Sequence, residues 1–360
     1  MIRQIILITF ICTLSLSTFS AKLTGSQPLT ELVKQLGAGI NISLFEHNWS
    51  TPQQIWQEDY LTKLKKIKKA HFKTVRFPIA FDMFLQPNST NLMPEILLKM
   101  QEIYTNCKAL NLNLVFTYHY GKLTDYNSFS EQEKVSWIWK QVQRRFTGEG
   151  YETLFFELYN EPTINAGLWK SMAETLIRYL RYEDKDRVYI VGGTNYNNIE
   201  ELRTLGRIND NRTLYTFHFY EPFIFTHQGA EWEADKTYIT GIPYPYKQST
   251  MPPLPKKARG TDVEENFNKY KTEGTQEYLS NKITSALHWC NLNNMILICT
   301  ETGVIGNVRN ADRERYLKDV TNILNSNGIA AMLWDYDQKF TVTKPNGKPI
   351  KPVRKWIKHS

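Results

Sequence analysis

The chain is poor in cysteine, and this limits what can hold it together covalently. Its 360 residues include four cysteines, one of which, Cys12, lies in an N-terminal apolar stretch. Cys107, Cys290 and Cys299 remain, an odd number at spacings that match no metal-ligand motif. At most one disulfide bond can form among them. We therefore expect most or all of these thiols to be buried and free.

Long apolar runs are also missing after the first twenty residues, so no later segment is predicted to cross a membrane. The run IILITFICTLSLSTF follows Arg3 and ends in small residues. This pattern is typical of a secretory signal, here predicted as residues 1–20 with cleavage after Ser20. We expect the remaining chain, residues 21–360, to form one domain. The protein is expected to be exported, secreted or periplasmic, to be monomeric, and to have no membrane association once the signal is removed.

Two further absences exclude classes of partner and cofactor. The formal net charge is +8, but the basic residues are dispersed, and no nucleic-acid-binding module is present. Of the two densest clusters, the C-terminal tail and Lys63–Lys69, the latter has helical spacing and is interpreted as a solvated helix face. The first predicted strand is not followed by GxGxxG, the phosphate-binding turn of dinucleotide-binding sheets. We expect no nucleic-acid partner and no cofactor.

What the sequence does contain is a regular alternation of strand-like apolar runs and helical segments. Because strands joined by helical crossovers pair in parallel, eight such units predict a single (β/α)₈ TIM barrel, with an open doubly wound sheet as the alternative. The predicted strands are Gly37–Ser43, Thr74–Phe81, Leu112–Tyr120, Thr153–Asn160, Val188–Gly193, Thr213–Tyr220, Met295–Glu301 and Ile329–Tyr336. The predicted helices are Asp59–Ala70, Pro94–Leu110, Glu131–Phe146, Leu168–Glu183, Gln276–Asn291 and Asp312–Asn325, with a weak one near Ile199–Leu205.

One connection, residues 221–273, shows little periodicity and is predicted to be a long loop after the sixth strand. Loops of this length are usually functional or disordered, and in a barrel this one lies on the face that carries active sites. It is rich in aromatic residues, and we predict that Trp232 or a neighbouring aromatic lines a substrate groove. The alternative is that these aromatic side chains only anchor the loop.

Polar side chains recur near the C-terminal ends of the predicted strands, which meet at one mouth of a barrel. They are Arg76, His119, Asn160, Glu161, His218, Tyr220, Glu301 and Trp334. Two carboxyl groups at one mouth suit glycoside hydrolysis, in which one protonates the departing oxygen and the other attacks the anomeric carbon or activates water. Each residue alone has a structural explanation, such as a buried ion pair or a core histidine, and their coincidence favours a catalytic site.

The exit of the fourth strand reads Asn160-Glu161-Pro162. Proline fixes its own φ and restricts the preceding residue to extended backbone. We therefore expect Glu161 to be held in an extended conformation over the mouth.

Six stretches together resemble glycoside hydrolase family 5, the cellulase family: VRFPI (75–79), FTYHY (116–120), LYNEP (158–162), TFHFYEP (216–222), TETG (300–303) and MLWDYD (332–337). The resemblance implies that Glu161 is the general acid/base and Glu301 the nucleophile. It also implies that Trp334 stacks on the sugar, while the supporting residues are Arg76, His119, Asn160, His218 and Tyr220. FTHQGAEW (225–232) is similar to bacterial endoglucanases of the family. Thr302 and Thr117 depart from the family pattern, which often has Phe and Asp there.

The leading hypothesis is a secreted, retaining endo-β-1,4-glucanase that needs no metal and whose partner is a polysaccharide. A β-mannanase, or a glucanase acting on mixed-linkage glucan or xyloglucan, would use the same residues. A barrel that binds glycans without cleaving them is a different class, and the presence of both carboxyl groups argues against it. A metal-dependent hydrolase using His218, Glu221 and His227 has no ligand motif to support it.

Overall fold

The computed structural model describes residues 28–45, 51–148, 150–233 and 238–360, so the predicted signal peptide lies outside the described residues. Eight parallel strands close a barrel in chain order, with the last strand pairing with the first. They are β1 (Ala38–Asn41), β2 (Thr74–Ile79), β3 (Asn113–Tyr118), β4 (Leu154–Glu157), β5 (Tyr189–Gly192), β6 (Thr213–Phe219), β7 (Leu297–Thr302) and β8 (Ala331–Leu333). The predicted (β/α)₈ barrel is confirmed, and the open sheet is excluded.

The strands are buried almost throughout, as expected for parallel strands covered on both faces. Most are shorter than predicted, because pairing stops before the apolar run does. β4, for example, pairs with β5 only at Phe156 and Glu157. Asn160 and Glu161 consequently lie in the connection after β4 rather than in the strand, and Tyr220 and Trp334 follow β6 and β8 in the same way.

Helices surround the barrel and follow local sequence signals. Pro94 occupies the first turn of its helix, where a missing N–H is tolerated, and Thr275 caps another through its side chain. All six predicted helices are present within three residues of their expected ends. The longer helices are Leu29–Leu36, Tyr60–Lys69, Pro94–Ala109, Ser128–Arg145, Ala166–Arg181, Asp262–Glu273, Gln276–Leu292 and Asn310–Ser326, and the shorter ones are Pro52–Gln57, Leu202–Leu205, Phe223–Thr226 and Lys351–Ile357.

The prediction of a structureless loop over residues 221–273 is wrong in part. The segment contains Phe223–Thr226 and the twelve-residue helix Asp262–Glu273. This helix buries only Val263 and Tyr270, so its apolar periodicity is weak, although Thr261 caps it. The hydroxyl of Tyr270 donates to the carbonyl of Pro243 at 2.6 Å and ties the helix to the rest of the segment.

The three cysteines of the described chain, Cys107, Cys290 and Cys299, are buried and free, as predicted. Burial raises the pKa of each thiol, which keeps it protonated. Across the described ranges, every helix falls short of the combined length and apolarity that crossing a bilayer requires.

Candidate active site

A cavity of about 1180 Å³ lies at the C-terminal mouth of the barrel. Its lining brings together most of the side chains predicted from the sequence: His119, Glu161, His218, Tyr220, Trp232, Glu301 and Trp334. The two remaining predicted residues, Arg76 and Asn160, are buried and hydrogen-bonded to each other. All nine predicted residues therefore belong to one connected site.

Arg76 is fully buried and forms the electrostatic centre of the site. Its Nε and Nη2 donate to the two carboxylate oxygens of Glu157 at 2.7 and 2.9 Å. Nη1 donates to Glu301 Oε1 at 2.6 Å and to Asn41 Oδ1 at 2.8 Å, and Nη2 also donates to Asn160 Oδ1 at 2.8 Å. A buried guanidinium is tolerated because its charge and its donors are matched in this way. The network fixes the positions of Glu301 and Asn160 together.

Glu157 and Asn41 are parts of this network that the sequence reasoning did not assign. Glu157 is fully buried on β4, where it forms the paired hydrogen bonds with Arg76. Its signal in the sequence is a carboxylate inside an apolar strand, since buried carboxylates require a partner. Asn41 is also fully buried and donates to the carbonyl oxygens of Thr300 and Leu333. Asn41 also lies inside a predicted apolar strand, but its local sequence does not show which groups it contacts.

Glu301, on β7, accepts hydrogen bonds on both carboxylate oxygens. Arg76 donates to Oε1, and the hydroxyl of Tyr220 donates to Oε2 at 2.9 Å. Burial raises the pKa of Glu301, while nearby His218 and Arg76 act in the opposite direction. Both neighbours that donate to Glu301 stabilise its ionised form.

Glu161 faces the cavity with 30% of its side chain exposed, and its Oε1 lies 2.7 Å from His218 Nδ1. Burial among the surrounding side chains raises the pKa of Glu161 to about 7, with Arg76 opposing and Glu157 adding to the rise. A carboxyl group with this pKa is available as a proton donor near neutral pH. The pKa of both carboxyl groups is therefore raised. Of the two, Glu301 forms the ion pair with Arg76, which favours its ionised form, whereas Glu161 has a pKa near neutrality.

The expected extended conformation of Glu161 is wrong, because its φ is 48°, in the left-handed region. The backbone N–H of Asn160 still donates to the carbonyl of Tyr118 at 2.8 Å, so the chain stays alongside β3 up to that residue. It then turns at Glu161 and presents the side chain to His218. This tertiary contact outweighs the local preference imposed by Pro162.

The carboxylates of Glu161 and Glu301 and a ring nitrogen of His218 approach within 4.8 Å of one another. Across the described part of the chain, no other group of three His, Cys, Asp or Glu side chains is close enough to ligate a metal. The guanidinium 2.6 Å from Glu301 opposes a second cation there. The metal-ligand set that the sequence suggested, which included Glu221, does not come together. Glu221 instead forms an ion pair with Lys282 at 2.6 Å.

Aromatic rings border the carboxyl groups. The ring of Trp334 lies nearly parallel to that of His119, with centroids 6.1 Å apart. Trp232 is 44% exposed, and Lys339 Nζ lies 5.3 Å from its ring centroid. Such partly exposed rings offer flat apolar faces to which the C–H faces of pyranose sugars can bind.

A barrel whose mouth carries an ion-paired carboxylate beside a carboxyl group of raised pKa is the architecture of a glycoside hydrolase. The model of the family described as "Cellulase (glycosyl hydrolase family 5)" matches residues 33–340. The chain therefore belongs to glycosyl hydrolase family 5, and it is an O-glycoside hydrolase.

Two relatives that the chain resembles in sequence are named as endoglucanases. The chain is 27% identical to Endoglucanase 3 of Fibrobacter succinogenes over 93% of its own length, but it spans only 54% of that relative. It is 26% identical to Endoglucanase C of Acetivibrio thermocellus, covering 87% of this chain and 95% of the relative.

Solved structures share the fold. A hyperthermophilic endo-beta-1,4-glucanase in complex with substrate superposes with a TM-score of 0.75 at 22% identity, covering 92% of this chain and 99% of that one. A Bacteroides ovatus GH5 xyloglucanase in complex with a XXXG heptasaccharide gives a TM-score of 0.73 at 17% identity, covering 93% and 77%. At these identities the likeness establishes the barrel and not the substrate.

Proposed function

We propose that the chain is a retaining endo-β-1,4-glucanase in which Glu161 is the general acid/base and Glu301 the nucleophile. The observation that carries this proposal is the approach of their carboxylate oxygens within 4.8 Å. Retaining enzymes hold the two carboxyl groups about 5–5.5 Å apart, whereas inverting enzymes leave about 6.5–9.5 Å for a water molecule. An approach of the nearest carboxylate oxygens within 4.8 Å is compatible with the closer arrangement, and this supports direct attack by Glu301.

The environments of the two carboxyl groups support the division of roles. In the first step Glu301 bonds to the anomeric carbon while the glycosidic C–O bond breaks, and Glu161 gives its proton to the departing oxygen. In the second step water attacks the anomeric carbon, its proton passes to Glu161, and the bond to Glu301 breaks. Arg76 and Tyr220, which donate to Glu301, stabilise the carboxylate that starts the cycle and is regenerated at its end.

The proposed substrate is a neutral β-1,4-glucan. The relatives named as endoglucanases support a glucan, and the similar endo-beta-1,4-glucanase structure supports the linkage. The wall of the cavity supports a neutral chain, since its acidic residues outnumber its lysines. The acidic residues are Glu161, Glu221, Glu231, Glu233, Glu273, Glu301 and Asp335, and the lysines are Lys282 and Lys339. Glu221 and Glu231 are paired with the two lysines, and the carboxylates of the wall that remain ionised would repel carboxylated polymers. Uncharged glucans are therefore the appropriate first substrates.

Export is the second part of the proposal. The apolar run after Arg3 and the small residues before Ala21 support cleavage of residues 1–20. N-terminal sequencing of the mature protein should begin at Ala21 or one residue later. A mature protein that retains Met1 would contradict this assignment.

The roles are tested with Glu161→Ala and Glu301→Ala on a dinitrophenyl cellobioside, whose leaving group needs no protonation. Glu161→Ala should form a glycosyl-enzyme and turn it over slowly, because the base for the second step is missing. Mass spectrometry should detect the added sugar on Glu301. Glu301→Ala should lose both steps on every substrate.

Four outcomes would contradict the proposal. Identical behaviour of the two variants would overturn the assignment of acid and nucleophile. A product whose first-formed anomer is inverted would overturn the retaining mechanism. Binding of barley glucan, xyloglucan, mannan or xylan without release of reducing ends would indicate a glycan-binding barrel, whereas cleavage of mannan or xyloglucan in preference to β-1,4-glucan would reassign the substrate.

A further inference from the structure

His218 has a second hydrogen-bond partner, and that partner lies outside the cavity lining. Its Nδ1 faces Glu161, and its Nε2 lies 3.2 Å from Nδ2 of Asn197. Asn197 is fully buried in the segment after β5, where nothing in the sequence marks it as functional. Neutral histidine carries a proton on one ring nitrogen only, so the group that faces Nε2 decides whether Nδ1 carries the proton and donates to Glu161.

The backbone around Asn197 is shaped to bring its side chain to this position. Asn195, Tyr196 and Asn197 have φ values of 51°, 63° and 54°, three successive residues in the left-handed region. Asn198 then forms a parallel bridge with His218, which fixes the segment against the end of β6. Left-handed backbone is unfavourable for residues other than glycine and persists where tertiary structure requires it.

Gly192 provides the space for the amide of Asn197. A Cβ atom at residue 192 would lie 2.2 Å from Asn197 Oδ1 and 2.5 Å from its Cγ. Any larger residue would displace the side chain that contacts His218. The glycine, the left-handed turn and the buried amide therefore form one local arrangement directed at His218 Nε2.

The orientation of the Asn197 amide follows from its surroundings. With Nδ2 toward His218, the atom left without a hydrogen-bond partner is Oδ1. The reversed amide would place an NH₂ group at that position, and buried donors without acceptors are rarer than unsatisfied carbonyl oxygens. Asn197 is thus a donor to Nε2, so Nε2 carries the lone pair and Nδ1 carries the proton.

Other charged groups near His218 are compatible with a neutral ring. It faces Glu161 at 2.7 Å and Glu301 at 3.6 Å, with Arg76, Glu157 and His119 further away. Burial lowers the pKa of His218 to about 4 despite the attraction of Glu301. The ring is therefore neutral at the pH at which Glu161 exchanges its proton, and its tautomer matters.

We propose that Asn197 is a positioning residue that fixes His218 in the Nδ1–H tautomer, so that His218 always donates to Glu161 Oε1. This inference rests on the proposed role of Glu161 as the acid/base. With Oε1 occupied by a donor, the transferable proton of Glu161 resides on Oε2, available to the glycosidic oxygen. The opposite tautomer would accept that proton in a hydrogen bond to Nδ1 and withhold it from the substrate.

The tautomer is tested directly by long-range ¹H–¹⁵N NMR of the imidazole nitrogens, with His218 assigned from a His218→Phe difference spectrum. The wild-type protein should show Nδ1 protonated and Nε2 unprotonated. Asn197→Asp replaces the donor by acceptors, and aspartate tolerates left-handed backbone, so Nε2 should become protonated. Asn197→Gly removes the side chain at a position where glycine is unstrained, and the Nε2–H form should become populated.

Activity provides the second readout. General acid–base catalysis contributes typically 10²–10⁴-fold, and we expect Asn197→Gly to lose roughly 10- to 100-fold in kcat/KM on glucan. On a dinitrophenyl cellobioside the first step should be unaffected. The basic limb of the kcat/KM profile should move to higher pH, because loss of the donor at Oε1 raises the pKa of Glu161.

The matched control is Asn294→Gly, the same substitution at an exposed residue with φ of 55° in the turn before β7. It should leave the His218 spectrum and the activity unchanged. A wild-type spectrum with Nε2 protonated would overturn the proposal, as would an unchanged tautomer in both Asn197 variants. The spectrum is recorded without substrate, so it tests the tautomer of His218 independently of catalysis. A wrong tautomer would overturn this inference and leave the acid/base role of Glu161 intact. Loss of that role in the Glu161→Ala experiment would leave the tautomer assignment intact.

Discussion

Arg76 shows how much of the site depends on one buried side chain. Its guanidinium joins β2 to the carboxylates of β4 and β7 and to the amide after β4. The residue type and strand position of Arg76 could be predicted from the sequence, because few residues at a barrel mouth can balance a carboxylate. Its partners Glu157 and Asn41 could not be assigned, since they are set by strand register across the barrel and not by local spacing.

Glu157 is predicted to be a residue on which the stability of the protein depends. Replacing it by alanine leaves Arg76 with a single carboxylate, and breaking a buried ion pair is typically destabilising by about 3–5 kcal/mol. Glu157→Ala should therefore lower the free energy of unfolding by that amount in urea titrations. Glu152→Ala, an exposed glutamate just before β4, serves as the control and should change it by less than about 0.5 kcal/mol. A loss below about 1 kcal/mol in Glu157→Ala would contradict the inferred importance of the pair.

At the scale of elements, the strands and outer helices follow from periodicity and caps, and the functional connections do not. The turn of Glu161 to φ of 48° and the left-handed run Asn195–Asn197 oppose local preference. Both are held by contacts with His218, a residue distant in sequence. Sequence-local rules fail at these positions because the site requires backbone that the residues themselves disfavour.

The segment after β6 gives a prediction at this scale. Trp232 lines the cavity while still 44% exposed, so we expect it to bind a sugar ring of a long substrate. Aromatic contacts of this kind contribute about 0.5–1.5 kcal/mol, which corresponds to roughly a two- to tenfold change in affinity. Trp232→Ala should raise KM on cellohexaose by that factor with little change in kcat.

The control for this experiment is Tyr182→Ala, which removes an aromatic ring that is 85% exposed in the turn between the helix Ala166–Arg181 and β5. That ring is not part of the cavity lining. KM should be unchanged in this variant. Unaltered KM and kcat in Trp232→Ala would instead show that the aromatic residues of the segment anchor it without touching substrate.

At the scale of the whole molecule, closing the barrel places polar residues from distant parts of the chain at one mouth, and the protein carries buried carboxyl groups there. Asp335, next to Trp334, accepts from the hydroxyl of Ser43 at 2.9 Å and from the backbone of Gln338 at 3.1 Å. Burial raises its pKa from the ordinary 3.8 to about 7, against the effect of these donors. The folded state therefore retains a proton that the unfolded chain releases in this pH range.

This linkage makes the free energy of unfolding depend on pH with a definite sign. Between pH 3.8 and about 7 the folded state binds more protons than the unfolded state at Asp335, so stability from this group is lost as pH rises.

Asp335→Asn keeps an acceptor for the N–H of Gln338 and a donor for the hydroxyl of Ser43 but cannot ionise. At about 1.36 kcal/mol per pKa unit, the variant should gain roughly 2–4 kcal/mol relative to wild type between pH ~4 and pH ~8. Urea unfolding followed by tryptophan fluorescence measures this difference, with Asp262→Asn as the control for the same substitution at an exposed aspartate. A difference between Asp335→Asn and wild type that stays constant over this range would show that Asp335 ionises normally in the folded protein.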